Sequence, residues 1–296
     1  MKILITGGRG FLGGWTVKSG EADRYILYGL KADLTDVSAL RAEVKELQPD
    51  YVLHFGGVSH PATCEIDKDR AYQVNVKGTQ NLVDATGWLG KPVRIIFAST
   101  AQVYEKPNVD EVKNGLCLTE TRKISPQNYY AYTKHEAEQV LKIAQSSKLL
   151  VTVLRLFNVS HKSQSTKFVL PYIYHSLKKY KAGEISSIRI GNLNVYRDFS
   201  SIYDFEEILW SLINRTQIQY YDCYNLCSGQ PRKVFDLAMI LAKRLEVVDP
   251  VFEVDEARIR PGDPISISGD PSKLNLFLNR NLPPTTDEEF IERFLK

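Results

Sequence analysis

The sequence predicts an α/β chain: a doubly wound parallel sheet, with a smaller mixed α/β region in the second half. Two observations predict it. Short apolar runs alternate with longer amphipathic ones through residue 158, the pattern of strand–helix–strand crossovers, which are right-handed and lay their strands parallel. The apolar runs are also mostly continuous rather than alternating, as in strands buried on both faces.

The first strand is KILIT (2–6), and a helix is predicted over 11–19. Between them TGGRGFLG (6–13) places Gly7, Gly10 and Gly13 at GxxGxxG spacing. In a Rossmann fold the first glycine makes the turn, the second lets backbone approach a pyrophosphate, and the third lets helix and strand pack closely. The helix start then offers unpaired N–H groups and a positive dipole end. A glycine-rich turn of no function is the alternative; the strand ahead and the helix behind favour the phosphate loop.

The second strand, YILYGL (25–30), ends at Lys31 with no acid at its tip. An acid there binds the ribose 2′-OH of NAD, and a base suits the 2′-phosphate of NADP. Lys31, with Arg9 in the glycine loop, therefore favours NADP(H), with NAD(H) as the alternative; both cations are also compatible with a plain surface. Helices follow at 37–47, 69–87 and 127–147, with strands YVLHF (51–55), VRIIFAS (93–99) and LVTVLRLF (150–157) between them. Beyond 158 the order loosens. SIRIGN, YNLCSG and DPVFEV read as short strands and 168–180, 204–214 and 233–245 as helices, a region expected on the sheet's carboxyl edge. The expected domains are 1–158 for dinucleotide, with later segments returning to it, and 159–296 for substrate.

Bulk properties exclude several classes. The 296 residues are 43% hydrophobic and 25% charged, ordinary for a globular chain. A net charge of +3 argues for neither nucleic acid nor a membrane surface. No run of about 18 apolar residues exists, so no membrane span is expected, and MKILITGG is too short for a secretory signal. Cys64, Cys117, Cys223 and Cys227 form no CxxC pair, and the five histidines form no metal motif. Reduced thiols, a cytoplasmic location and no metal are expected.

SPQNYYAYTKH (125–135) holds three tyrosines before one lysine. Only Tyr130 stands four residues before Lys134, the spacing that shares a helix face; Tyr129 and Tyr132 should point elsewhere. Alone, YxxxK also fits two surface residues of a helix.

The ordered set decides between these. TGGRGFLG, ADLTD (32–36), QPDYVLHFGG (48–57), NVKGT (75–79), FASTAQVYE (97–105), YxxxK and LRLFN (154–158) resemble the extended short-chain dehydrogenase/reductase family of nucleotide-sugar epimerases, dehydratases and reductases. RIGNLNVYRDFSSIYD (189–204), YNLCSG (224–229) and RPGDPISISGDPSKL (260–274) resemble its branch of GDP-mannose 4,6-dehydratase and GDP-6-deoxy-4-keto-mannose reductase. The resemblance implies that Thr100, Tyr130 and Lys134 are catalytic. Gly7, Arg9, Gly10, Phe11, Leu12 and Lys31 would hold cofactor, with Asp33 and Leu34 against the adenine. Phe55, Gly56 and Gly57 would line the cofactor cleft, where the family usually has alanines. Thr100, Gln102, Asn158, Arg197 and Arg260 would meet a nucleotide-diphosphate sugar, the arginines clamping its diphosphate. A homodimer through the helices at 69–87 and 127–147 is implied as well. Lys134 and an oxidised nicotinamide would lower the Tyr130 pKa from its usual value of about 10.

The reaction turns on what is missing. The related dehydratases place carboxylates just after the threonine, whereas this chain reads Thr100-Ala101-Gln102. The cysteine that the related epimerase/reductases place at position 102 is also absent. Hydride chemistry remains, so the expected activity is reduction of a 4-keto nucleotide sugar, GDP-linked. A nucleotide-sugar 4-epimerase and a catalytically silent NAD(P)-binding regulator are the alternatives. Gln102 would bind substrate or merely hydrogen-bond a neighbouring loop.

Overall fold

The computed structural model describes residues 1–19, 23–113, 116–216, 219–259, 264–280 and 285–296. The chain divides into two compact units. The first comprises Met1–Glu105, Glu120–Leu156 and Glu206–Asn225; the second comprises Lys106–Thr119, Phe157–Phe205 and Leu226–Lys296.

The first unit is a Rossmann-type α/β layer structure. Strands β1 (Lys2–Thr6), β2 (Ile26–Gly29), β3 (Tyr51–His54), β4 (Val93–Thr100) and β5 (Leu149–Leu156) lie in the order β2-β1-β3-β4-β5, with Tyr221–Leu226 beyond β5. Pairing is parallel from β2 through to β5, with Ile3 opposite both Leu27 and Tyr51, and Phe97 opposite Val153. Every residue of β4 is buried, which is why its sequence runs apolar without alternation. One face of the sheet packs Leu4, Val52, Ile95 and Val153 against Leu40 and Val44 of the helix Val37–Leu47, and against Leu82, Ala137 and Leu141.

Helix boundaries follow local chemistry. Asp36 caps Val37–Leu47 by accepting from the Ala39 N–H, and Asn128 caps Tyr129–Ala144 by accepting from Ala131, as short polar N-caps do. The helix predicted over 69–87 is instead built of pieces: Lys68–Tyr72, a π-helical turn Gln73–Lys77 and Gly78–Gly87. The π turn buries Asn75, whose Oδ1 accepts from the Val58 N–H at 2.7 Å and whose Nδ2 donates to Thr133 Oγ1 at 2.9 Å. The polar side chain is satisfied by widening the turn, something an apolar periodicity does not register.

The second unit centres on Tyr196–Ser201. It pairs antiparallel with Pro231–Lys233, parallel with Ser266–Ile267, and parallel with Asn158–Ser160. Its own core joins Leu170, Ile173 and Leu177 to Leu237, Leu241, Phe290 and Phe294. Among its elements not read from the sequence are Tyr196–Ser201, Ser272–Leu278 and Asp287–Leu295. The first carries Arg197 and Asp198, polar residues that mask a strand.

Candidate active site

The loop after β1 has the shape its glycines predict. Gly7 sits at φ +69°, and a Cβ on it would lie 2.7 Å from the Gly56 nitrogen; one on Gly13 would lie 2.5 Å from the Gly7 oxygen. Only glycine fits both places. The helix Phe11–Lys18 starts at Gly10 with no side-chain cap and no acid in its first turn. Its leading N–H groups and dipole therefore face outward without a competing carboxylate, which fits a pyrophosphate. Arg9 and Lys31 are exposed, and among the described residues neither side chain makes an ion pair. Sequence reading placed no acid at the tip of β2, but tertiary structure brings one. The Glu43 carboxylate accepts from the backbone N–H groups of Lys31 (2.9 Å) and Ala32 (2.8 Å).

Asp33 accepts from the Thr35 N–H at 2.9 Å and hydroxyl at 2.7 Å, and these bonds hold its carboxyl below the usual range. Leu34 is buried beside the Gly56 and Gly78 backbone. After β3, Phe55, Gly56 and Gly57 follow directly. A Cβ at Gly56 would meet Thr6 Oγ1 at 2.9 Å, and one at Gly57 would meet Asn75 Oδ1 at 2.8 Å. The two hydrogen-bonding side chains fill the space that alanine methyls would take. The carboxyl ends of β1, β2 and β3 thus carry the loop residues that the sequence reading assigned to cofactor, and that of β4 carries Thr100.

The Thr6 hydroxyl also joins a buried proton chain. Thr6 Oγ1 accepts from the Gly56 N–H at 2.8 Å and meets His54 Nδ1 at 2.8 Å, while His54 Nε2 meets Thr79 Oγ1 at 2.9 Å. The Thr79 hydroxyl is spent on the Asn75 carbonyl at 2.6 Å, so Nε2 must be the donor and Nδ1 the acceptor. Burial, with Lys134 nearby, pushes His54 down to about 3, which keeps it neutral.

Thr100 ends β4, and Tyr130 and Lys134 come from the helix Tyr129–Ala144. All three are buried, and the Thr100 hydroxyl is near enough to the Tyr130 phenol to favour its ionised form against burial. Thr100 Oγ1 accepts from the Gln102 N–H at 3.2 Å, which leaves its proton free to donate. Tyr129 is half-buried and Tyr132 exposed, their rings 5.5 Å apart, with Lys68 over Tyr129. Tyr130 instead packs with Cys64 and Ala71.

The sequence expects Lys134 together with an oxidised nicotinamide to lower the tyrosine; the protein's own burial acts in the opposite sense. Burial pushes the Tyr130 phenol well above its ordinary range, opposed by the Thr100 hydrogen bond. Burial likewise pushes the Lys134 ammonium down to about 7, against Glu138 one turn further on. Lys134 Nζ lies over the Phe97 ring, 4.1 Å from its centroid. Desolvation outweighs pair attraction when both groups are enclosed.

Three further sets of residues were not named from sequence. Glu138 receives Arg155 through Nε at 3.1 Å and NH2 at 2.7 Å, and the Ser99 hydroxyl as well. Burial alone would lower the Arg155 guanidinium, but Glu138 more than offsets it. The Lys-x-x-x-Glu spacing was the available signal. Asn128 donates through Nδ2 to Gln102 Oε1 at 2.9 Å; its place just before a helix was the signal there. In the second unit the buried Asp198 carboxylate accepts from the Ser228 N–H and hydroxyl and from the Gly229 and Gly269 N–H groups. No periodicity pointed to it. Its carbonyl takes the Asn158 amide at 2.8 Å, and Arg197 donates to the carbonyls of Tyr196 and Pro264 at 2.7 and 3.0 Å. Asn158 and Arg197 therefore share one sheet of the second unit. Arg260 lies outside the described residues.

Among the described residues no cluster of His, Cys, Asp and Glu could hold a metal, and no helix is long and apolar enough to cross a membrane.

Comparison with known proteins places these features in context. A family profile described as GDP-mannose 4,6 dehydratase matches residues 20–282. GDP-6-deoxy-D-talose 4-dehydrogenase from Aggregatibacter actinomycetemcomitans is 27% identical, covering 100% of this chain and 97% of its own length. GDP-6-deoxy-D-mannose reductase from Pseudomonas aeruginosa is 26% identical over 93% of this chain and 90% of its own. The solved structure of RMD from Pseudomonas aeruginosa, complexed with NADPH, superposes with a TM-score of 0.86 at 24% identity, covering 99% of this chain and 97% of that one. That likeness shows a shared fold.

Proposed function

This chain belongs to the GDP-mannose 4,6-dehydratase family, and from that premise we propose that it is an NADPH-dependent reductase of a GDP-linked 4-keto sugar. One observation carries the reading. Thr100 and Tyr130 are both buried, while position 102, two residues beyond Thr100, is an amide and not a carboxylate. Reduction of a ketone needs a proton donor at the carbonyl oxygen and no base for a carbon-bound proton.

When bound, the reduced nicotinamide supplies the hydride. Thr100, its own proton free, hydrogen-bonds the carbonyl oxygen and sets it against Tyr130. Tyr130 gives its phenolic proton to that oxygen as negative charge develops there. Lys134 Nζ, with a pKa of about 7, carries or releases a proton within the working pH range and stabilises the phenolate left behind. Asn158 and Arg197 hold the nucleotide sugar, Arg197 by the fork that suits a diphosphate. Arg9 and Lys31 favour the 2′-phosphate of NADPH. The chain works as a homodimer.

The test is direct. The purified protein should oxidise NADPH, in preference to NADH, in the presence of GDP-4-keto-6-deoxymannose and yield a GDP-6-deoxyhexose. With GDP-mannose and NADP⁺ it should form no 4-keto-6-deoxy product. Dehydration at an enzyme-like rate would overturn the reading. Interconversion of 4-epimers without net oxidation would identify an epimerase instead.

A further inference from the structure

The amide of Gln102 is held in one orientation, and the direction can be read without ambiguity. The Ala131 backbone N–H can only donate, and it donates to the Asn128 side chain at 2.9 Å. The Asn128 atom facing it is therefore the carbonyl oxygen, and the other, Nδ2, is the donor. Nδ2 lies 2.9 Å from the Gln102 side chain, so the Gln102 atom facing it is Oε1. The remaining group, Nε2, is a pair of N–H donors on an exposed side chain, with no partner among the described residues. The Gln102 backbone N–H is bonded to Thr100 Oγ1 at 3.2 Å, which ties this amide to the residue proposed to hold the reacting oxygen.

Resting on the reductase reading above, we propose that Gln102 is a specificity-determining residue that donates an N–H hydrogen bond to an oxygen of the keto sugar, and that Asn128 is the positioning residue that orients it. The ligand group it selects is a neutral acceptor with no proton of its own, such as a ring oxygen near the reacting carbon. A carboxylate at 102 would repel that oxygen, and an apolar residue would leave it without a donor. The helix cap and the sugar contact are thereby one chain of hydrogen bonds, from Ala131 through Asn128 and Gln102 to substrate.

Three variants separate this role from a structural one. In Gln102→Glu the Asn128 tether survives, since Nδ2 still finds an oxygen, but the outward donor is lost. In Asn128→Asp the cap to Ala131 survives, and the Gln102 amide turns over to donate inward, so an acceptor now faces outward. Gln102→Met loses donor and tether without adding charge. Donation to substrate predicts that all three raise KM for the keto sugar by about 10-fold or more, with smaller changes in kcat and unchanged NADPH affinity. A rise in Gln102→Met alone would mean that only the tether matters; a rise in the two acidic variants alone would mean that only charge matters. Either result overturns the proposal. Turnover by the unmodified protein decides the reductase reading separately. Should it reduce no keto sugar, calorimetric affinity for GDP-mannose across the same variants still decides the role of Gln102, by the same pattern.

Discussion

At the scale of the residue, enclosure governs the chemistry. Tyr130 and Lys134 share a helix face, yet burial raises the phenol and lowers the ammonium. Tyr130→Phe should cost about 10²- to 10⁴-fold in kcat on a 4-keto nucleotide sugar, the usual worth of a general acid, with NADPH binding retained. Tyr129→Phe and Tyr132→Phe should lose far less, because their rings pair with each other and not with Thr100. Near-normal turnover in Tyr130→Phe would refute the assignment.

Lys134 also affects stability. Its folded-state pKa falls from 10.5 to about 7, so across that window the unfolded chain binds a proton that the folded chain has released. The penalty is full below about pH 7 and fades towards 10.5, so stability rises with pH between them. Lys134→Met should therefore raise the Tm of the cofactor-free protein at pH 7–8 by several degrees, since each kcal/mol moves a domain of this size by roughly 2–4 °C, while turnover collapses. A Tm lowered in the variant would mean that the contact with Phe97 outweighs desolvation.

At the scale of the element, the strand ends were the most legible features. β1 and the glycine loop could be read directly, because a strand, a turn requiring glycine and an uncapped helix start are all local. The π turn at Gln73–Lys77 and the Ser99–Glu138–Arg155 cluster were not, because each satisfies buried polar groups from another part of the chain. Gln102 shows both sides. Its residue type argued from sequence against dehydratase chemistry, but its orientation depends on Asn128, 26 residues away in the chain.

At the scale of the whole molecule, the ends of the helices Gly78–Gly87 and Tyr129–Ala144 bear on assembly. Trp88 is 79% exposed and Ile143 85%, and a groove lined by Val83, Asp84, Trp88, Ala144 and Lys148 runs between the two helix ends. Large apolar side chains grouped on a surface mark an interface more often than a wall against water. Sedimentation should give twice the chain mass, and Trp88→Asp with Ile143→Asp should return it to a monomer. A wild-type monomer at micromolar concentration would sink the homodimer.

What the sequence determined by itself was the parallel sheet, the glycine turn after β1, the Tyr130–Lys134 spacing and the missing acid at position 102. Each is written in residues within about one helical turn or one strand of each other, where spacing alone sets geometry. The tertiary structure decided the rest. It placed Glu43 on the backbone beyond β2, buried Tyr130 against Cys64 and Ala71, joined Asn128 to Gln102 and gathered two loops onto Asp198. Desolvation and the pairing of buried polar groups depend on which distant segments enclose them, and no local pattern encodes that enclosure.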